Sequence, residues 1–355
     1  MSNWRTGYRF ERMEYRLLGL DLSPMGLVEG IEACRLSGSV NADIRWGGSL
    51  TWSGTTQPDW SKYLVHPWYI VEGEADGTWP ICPPMFVKVP TTKYTGAIPQ
   101  TADLSLYDVT YQLAKRLKLT DYLAIGAGTN IADRLATRWA IAGVRYDIIS
   151  SSQGLAAAMN WDPGESEMAV ANQLLSALNY WSVSANNNGT LLGAPWVDPA
   201  QRMASWNFSR DEASIISAET EVTQDNFDIP NRMTGVPRVA AGVTPLPVTV
   251  TLDSVYPDSP YTFANRGYWV DAEVERDIDA ADTTTLTSLL VRKLLDAATS
   301  SITRVVKHAW VPEVSLGSLV TYPVNGVLKR YTVQKMDIAC EVGGLPVTAE
   351  WKEVA

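Results

Sequence analysis

Cysteine and histidine are scarce in this chain of 355 residues, which contains three cysteines and two histidines. Cys34, Cys82 and Cys340 lie far apart with no Cys-X-X-Cys pair, and an odd number cannot form a complete disulfide framework. The pattern therefore predicts free thiols in a reducing compartment. We expect Cys82 and Cys340 to be buried inside strands, because unpaired cysteine usually packs as a small apolar residue.

The two histidines, His66 and His308, have no His or Cys neighbour at metal-ligand spacing. A structural zinc site needs four such ligands at short intervals. We therefore predict structural roles for both rings, at the surface or partly buried, and no metal site.

Long apolar runs are also missing. No stretch of about 18 apolar residues occurs, so we predict no membrane-spanning helix. The first residues contain arginines but no apolar run before a small-residue cleavage site, which argues against a signal peptide. We expect synthesis and folding in a cytoplasm.

Positive charge is in deficit, with 29 Lys and Arg against 39 Asp and Glu and a net charge of −10. Affinity for nucleic acid depends largely on cations that neutralise phosphates. The chain is therefore a poor candidate for holding DNA, and an acidic surface would repel it.

Tryptophan and tyrosine are abundant instead: the chain has 14 Trp and 15 Tyr against 5 Phe. These side chains favour strands and also suit half-buried interfaces. The length predicts two to four domains. Turn signals and strand-like runs divide the chain into a β section at 1–100, an α/β middle region at 101–205 and a β section with one long helix at 206–355. The fold class predicted is α+β and β-dominated, with the first section an antiparallel barrel or sandwich.

Three helices stand out by apolar periodicity or end signals. One runs to Gly143 with Asn130 as its cap, one covers about 282–301, and a short one lies at 108–119.

The segment from Trp161 to Trp196 predicts a helix–hairpin unit. Asp162 is the expected helix cap with Pro163 at the first helical position. We expect a strand at 180–184, a tight turn at 186–189 with Asn-Gly, and a return strand from Thr190.

Paired carboxylates were weighed as catalytic or cation-binding groups, because an acidic, Trp-rich chain can act on carbohydrates. The candidates are Glu72 with Glu74 and Asp76, Glu165 with Glu167, Asp211 with Glu212, and Asp277 with Asp279 and Asp282. Solvated or helix-capping roles explain each group better, and the last lacks the glycine and spaced glutamate of a calcium loop.

Known catalytic motifs are missing as well. Gly126 and Gly128 precede a helix but lack the third glycine of a dinucleotide loop. No serine-elbow, phosphate-loop or metalloprotease pattern occurs. We therefore predict a protein that is not an enzyme, with no catalytic, cofactor-binding or metal-binding residues and no cofactor.

The order of elements from about 103 to 202 resembles the central part of the hub, or minor tail, proteins of long-tailed bacteriophages, which are related to baseplate hubs. The motifs that carry the resemblance are Leu106-Tyr107-Asp108, the helix at 131–142, Trp161-Asp162-Pro163-Gly164 followed by Leu174-Leu175, and Ala194-Pro195-Trp196. The segment 314–321 is similar to the last β domain of that family.

This resemblance implies two β-barrel-like domains that bracket the α/β middle region. It also implies a homotrimeric ring in the virion tail tip, joining the distal tail protein and tail tube to a tip fibre or spike. Such a ring would meet the tape-measure protein and let DNA pass without specific binding. The family's C-terminal peptidase or fibre extension has no counterpart before Ala355, which argues against a wall-degrading role.

A second hypothesis remains open from the residues alone. Exposed tryptophans could make the chain a carbohydrate-binding or glycan-cleaving β protein, with Trp46, Trp52, Trp60 and Trp68 as examples.

Overall fold

The computed structural model describes residues 11–72, 77–95, 98–212, 214–224, 227–239, 242–299, 302–341 and 345–354. Strands dominate the first section because its apolar residues alternate with polar ones between turns rich in Gly, Ser and Asp. Its strands are β1 Glu11–Gly19, β2 Pro24–Leu27, β3 Ile31–Ser39, β4 Trp46–Ser53, β5 Tyr63–Val71, β6 Thr78–Pro80, β7 Met85–Thr95 and β8 Ile98–Asp108.

The middle region contains short strands and two helices. A π-helical turn at Gln112–Arg116 follows β8, where a short helix was expected. The elements are β9 Leu123–Ile125, α1 Ile131–Ile141, β10 Tyr146–Ile148, β11 Met159–Trp161, α2 Glu167–Ala177, β12 Ser184–Ala185, β13 Leu191–Gly193 and β14 Trp206–Asn207.

The last section returns to strands around one long helix. Its elements are β15 Ile216–Gln224, β16 Arg232–Pro237, β17 Val248–Thr251, the one-turn helices α3 Leu252–Val255 and α4 Phe263–Arg266, β18 Glu275–Ile278, α5 Thr283–Thr299, β19 Ile302–Ala309, β20 Leu319–Val324, β21 Val327–Ala339 and β22 Pro346–Glu353.

One sheet runs through both β sections. Its main path in the described residues is β15-β19-β22-β21-β3-β4-β8-β7-β5-β1-β2, with β20, β14 and β6 attached at the sides. The sections join where β3 pairs antiparallel with β21, from Lys335 opposite Ser39 to Ala339 opposite Arg35. The β-dominated α+β class is confirmed, while the path of described strands is open and closes into no barrel. The domain boundaries near 100 and 205 stay a prediction.

Three apolar cores lie along this frame. The largest belongs to the long sheet and includes the fully buried Trp351 and Tyr331. The second lies in the middle region around Trp139 and Trp161. The third packs Leu290 and the rest of one α5 face onto the small sheet β17-β16-β18.

Helix α1 forms as the sequence predicts. The Asn130 side chain accepts a hydrogen bond from the backbone N–H of Asp133 at 3.0 Å, which satisfies one of the free donors at the helix start. Gly143 follows the helix with a φ of 68°, a left-handed conformation that glycine adopts without strain.

Helix α2 begins later than predicted. Its cap is Ser166, whose hydroxyl accepts from the N–H of Ala169 at 3.1 Å. Asp162 and Pro163 lie in the preceding turn, where the Glu165 carboxylate accepts from the N–H of Asp162 at 3.3 Å. Asp162 as the cap is therefore wrong, since the stronger local capping pair lies at Ser166 and Ala169.

The hairpin after α2 is shorter than expected. Only Ser184–Ala185 forms a strand, while Tyr180 makes an isolated bridge with Pro195. The turn is confirmed: the Asn186 side chain accepts from the N–H groups of Asn188 and Thr190, each at 3.0 Å, and Gly189 has a φ of 79°. The return strand β13 also pairs in parallel with β10, which ties the hairpin to the segment after α1.

The capping assignment predicts different costs for two substitutions. Ser166→Ala should lower the free energy of unfolding by about 1 kcal/mol, because it removes a satisfied helix-start donor. Asp162→Ala, the matched control in the preceding turn, should cost clearly less. Urea unfolding followed by circular dichroism measures both, and an equal or larger cost for Asp162→Ala would contradict the assignment.

Candidate functional site

Both histidines are buried in apolar surroundings. His66 Nε2 lies 3.1 Å from the carbonyl oxygen of Cys82, and His308 Nδ1 lies 2.7 Å from the carbonyl oxygen of Ala309. Burial lowers the pKa of each imidazole to about 4. The rings are more deeply buried than the sequence indicated. In the described residues no group of three or more His, Cys, Asp or Glu side chains could hold a metal ion.

The three cysteines are buried free thiols in the core of the long sheet. The backbone N–H of Cys340 donates to the carbonyl of Cys34 at 3.0 Å, just beyond the paired part of β21 and β3. The prediction that Cys82 and Cys340 lie inside strands is wrong. Cys82 occupies the bend after β6, and Cys340 directly follows β21. Burial raises the pKa of the Cys82 thiol well above its ordinary value. Such a thiol is a poor nucleophile.

Two of the candidate carboxylates, one at the start of α2 and one at the start of α5, stabilise these helices. Glu167 forms a two-point ion pair with Arg138 that ties α2 to α1. The Asp282 carboxylate accepts from the N–H of Thr285 at 2.7 Å and so caps α5. That backbone hydrogen bond lowers the pKa of Asp282.

Three further carboxylates have other partners. Asp279 pairs with Arg238 at 3.4 Å, Glu72 pairs with Arg12 at 3.2 Å, and Asp211 accepts from the hydroxyl of Ser209 at 2.8 Å. Glu74 and Asp76 lie outside the described residues.

The tryptophans nominated for a carbohydrate surface are mostly core residues. Trp46, Trp52 and Trp60 are buried, with 6% or less of each side chain exposed. Trp68 is half-buried, and the Arg16 guanidinium lies 3.8 Å from its ring centre. The expectation of exposed rings at the first three positions is therefore wrong. Trp46 and Trp52 lie an even number of residues apart in β4, so both rings face the core side of the sheet, whereas Trp60 is buried in a one-turn helix before β5.

A cavity of about 560 Å³ lies between the sections. All three parts of the chain contribute to its wall. Prominent lining residues are Arg45 from the first section, Trp181, Trp196 and Arg202 from the middle region, and Arg292 and Lys352 from the last section. We refer to it as the arginine cavity.

Two arginines of the cavity donate hydrogen bonds to backbone carbonyl groups. Arg45, just before β4, donates from Nη2 to the carbonyl oxygen of Ser182 at 2.9 Å and to its hydroxyl at 2.8 Å. Arg292 on α5 donates from Nη1 to the carbonyl oxygen of Tyr180 at 2.9 Å. The segment before β12 therefore anchors arginines from two distant parts of the chain.

Two tryptophans form the aromatic wall of the cavity. The centres of the Trp181 and Trp196 rings lie 6.3 Å apart. The guanidinium carbon of Arg292 lies 5.0 Å from the Trp181 ring centre, and that of Arg202 lies 5.8 Å from the same centre. These distances suit cation–π attraction, which strengthens as water is excluded.

Positive charges crowd one another in the arginine cavity. Burial lowers the pKa of Arg45, and the nearby positive charge of Arg292 lowers it further, while Asp108 acts in the opposite direction. Burial is also the main cause of the lowered pKa of Arg202, with Arg330 adding to it. All of these guanidinium groups stay charged at neutral pH because their ordinary pKa lies above 12.

Sequence reasoning missed this site. Arg45, Arg202 and Arg292 are single basic residues with no shared spacing, and they meet only because the sections fold together. Trp181, in the first predicted strand of the hairpin, and Trp196, after its return strand, were a usable signal, because tryptophan favours surfaces on which other parts of a chain pack.

Solved structures provide the comparison with known proteins, because no protein-family model and no curated protein sequence matches this chain. A tail protein from Neisseria meningitidis superposes with a TM-score of 0.65 at 11% identity, over 96% of this chain and 97% of that one. The 43 kDa tail protein of prophage MuSo2 from Shewanella oneidensis gives 0.64 at 12% identity, over 95% and 98%. Prophage tail protein gp18 from Listeria monocytogenes gives 0.58 at 13% identity, over 95% and 94%.

This chain has the fold of phage tail proteins. The likeness spans almost the whole length of both partners, so it includes the two β sections and the middle region together. The resemblance noted in residues 103–202 is thereby confirmed as a likeness of fold. Among the helices of the described residues, none has both the length and the apolar character needed to cross a membrane.

The buried histidines predict acid sensitivity. An unfolded histidine takes up a proton near its ordinary pKa of about 6.5, whereas the folded rings resist protonation until about pH 4. The contribution of each ring to the free energy of unfolding is therefore fully present above about pH 6.5. It is lost as the pH falls below that value, by about 2 kcal/mol for each ring at pH 5.

His308→Phe should remove its share of this loss. We expect the free energy of unfolding of the variant to fall less between pH 7 and pH 5 than that of the parent chain, as measured by urea unfolding at each pH. Identical pH dependence in the two proteins would show that folding does not change the pKa of His308, and it would contradict the prediction.

Proposed function

We propose that this chain is a structural, non-enzymatic hub subunit of a phage tail tip. In this proposal three copies form a ring that joins the distal tail protein and the tail tube to a tip fibre or spike. The ring also meets the tape-measure protein, and DNA crosses it during infection. The chain is made in the host cytoplasm and ends in the virion.

The observation that carries the proposal is the full-length likeness in fold to tail proteins. A likeness confined to one β section would fit many unrelated proteins, since such sections recur with many functions. The shared arrangement of both β sections and the middle region is more specific.

The net charge of −10 supports a conduit role. A channel that conducts DNA must release each phosphate as quickly as it meets it, and cations would hold the strand. A protein of the opposite charge would favour a nucleic-acid-binding function instead.

Strand β2 supports self-association. It lies at one end of the sheet path in the described residues and pairs with β1, and all four of its residues are exposed. Met25 and Leu27 are each more than half exposed on this strand. An exposed apolar edge strand is a template for pairing with another chain, so natural proteins usually cover it. We propose that β2 contributes to the contact between neighbouring subunits.

A hydrolytic role finds little support among the described residues. The carboxylates nominated from the sequence are divided between helix caps and ion pairs in separate parts of the fold. Glycoside hydrolysis needs two carboxyl groups across one cleft.

The proposal is tested by light scattering and negative-stain imaging of the purified full chain over a wide concentration range. We expect trimers and a threefold ring with an open centre. Met25→Lys combined with Leu27→Lys should dissociate the ring, because buried cations at the contact are costly. Tyr122→Lys, which places a cation at a still more exposed apolar position elsewhere, is the control and should leave the ring intact.

A chain that stays monomeric at every concentration and binds or cleaves glycans would contradict the hub function. Trimers that survive the double substitution in β2 would leave the hub function standing and move the subunit contact to another surface.

A further inference from the structure

Cys34 and Cys340 face each other across the ladder that joins the two β sections. The register of β3 with β21 runs to Ala339 opposite Arg35, and one further step places Cys340 opposite Cys34. The backbone N–H of Cys340 donates to the carbonyl oxygen of Cys34 at 3.0 Å, so the two segments are still paired at this point. The two cysteines therefore form a directly opposed pair at the end of the ladder.

Both thiols of this pair lie in the same core. Side chains of directly opposed residues project from the same face of an antiparallel sheet. Leu36 and Ile338, the next pair on that face, are buried, and both cysteines belong to the same apolar core as this pair. The nearness of the Cys34 thiol, together with burial, raises the pKa of the Cys340 thiol.

The spacing of the pair suits a disulfide bond. Opposed residues that share a backbone hydrogen bond in an antiparallel sheet have Cα atoms about 5.5 Å apart. Disulfide bonds connect residues whose Cα atoms lie about 4.4–6.8 Å apart. Cys34 and Cys340 therefore meet the distance requirement without any change in the register of the sheet.

Cys82, the third thiol of this core, is placed differently. It lies in the bend after β6, and β6 pairs with β5. Its thiol donates to the sulfur of Met85 at 3.7 Å. Among the described strands no ladder holds Cys82 opposite Cys34 or Cys340, so we expect Cys82 to stay a free thiol.

We propose that Cys34 and Cys340 form an oxidation site, at which hydrogen peroxide converts the two thiols into a disulfide bond that locks β3 to β21. One thiol becomes a sulfenic acid as the O–O bond of the peroxide breaks and water leaves. The second thiol attacks that sulfur, an S–S bond forms, the S–O bond breaks and a second water leaves. The two sulfurs are oxidised by two electrons in total, the peroxide is reduced, and both thiol protons end in water.

The closed ladder protects the pair from oxidation. A buried thiol with a raised pKa is protonated at neutral pH and reacts slowly. Cys340 directly follows the last residue of β21, so local opening at the end of the ladder exposes it without global unfolding. The pair stays reduced in a cytoplasm, and the lock closes in the oxidising surroundings of a released particle. That timing rests on the proposed virion location, whereas the bond itself does not.

Peptide mapping of the full chain tests the site directly. The chain is purified with a reductant, exposed to hydrogen peroxide while folded, alkylated, and digested without reduction. We expect a peptide pair that links Cys34 to Cys340 and is separated by dithiothreitol, with Cys82 recovered in its alkylated form. Alkylated Cys34 and Cys340 in the oxidised sample, or a bond from either residue to Cys82, would overturn the proposal.

Thermal unfolding then measures the effect of the lock. Oxidation should raise the unfolding midpoint of the full chain by roughly 3–5 °C, because a cross-link that closes a loop of about 300 residues restricts the unfolded chain. Cys82→Ser is the matched control, since it keeps the pair and should show the same shift.

Cys34→Ser should show no shift on oxidation, and Cys340→Ser provides the same comparison if the first variant does not fold. A shift of equal size in either variant would contradict the proposal. Neither experiment depends on a ring or on a tail, so failure of the disulfide leaves the hub function standing.

Discussion

The pairing of β3 with β21 is the constraint on which the rest of the structure depends. These strands lie about 300 residues apart in the chain, yet they form a continuous antiparallel ladder from Lys335 with Ser39 to Ala339 with Arg35. A slip of one residue would turn Leu36 and Ile338 from the core to solvent, so burial fixes the register. The ladder brings the first and last sections onto one core.

That ladder also creates the arginine cavity. Once β3 and β21 are joined, the loop before β4 and the end of β22 face the hairpin that follows α2. Arg45 then reaches the Ser182 carbonyl, and Arg292 on α5 reaches that of Tyr180. These two contacts tie the middle region to the long sheet and to α5.

Local signals predicted much of the fold. The Asn130 cap, the apolar face of α5 and the Asn-Gly turn at 188–189 depend on residues close together in sequence, so the sequence was sufficient for them. The α2 cap was assigned wrongly because Asp162-Pro163 is a strong start signal on its own, and only the geometry distinguishes a turn from the first helical residues. Trp46 and Trp52 show a related limit, because composition alone does not determine which face of a strand is buried.

The cavity lay beyond sequence reasoning for a different reason. Its arginines share no motif, and their proximity depends on a ladder between the first and last sections. The full-length likeness to tail proteins shows that this long-range arrangement is a property of the fold, even at 11–13% identity. Such a fold is kept by burial and register more than by particular polar side chains.

Native-state hydrogen exchange measures whether β3 and β21 make the two β sections one cooperative unit. We expect the backbone amides of residues 35–38 and 336–339 to exchange only through global unfolding, with free energies equal to that of the whole chain. Exchange of the first section at a lower free energy, while the last section stays protected, would show that the two sections unfold separately.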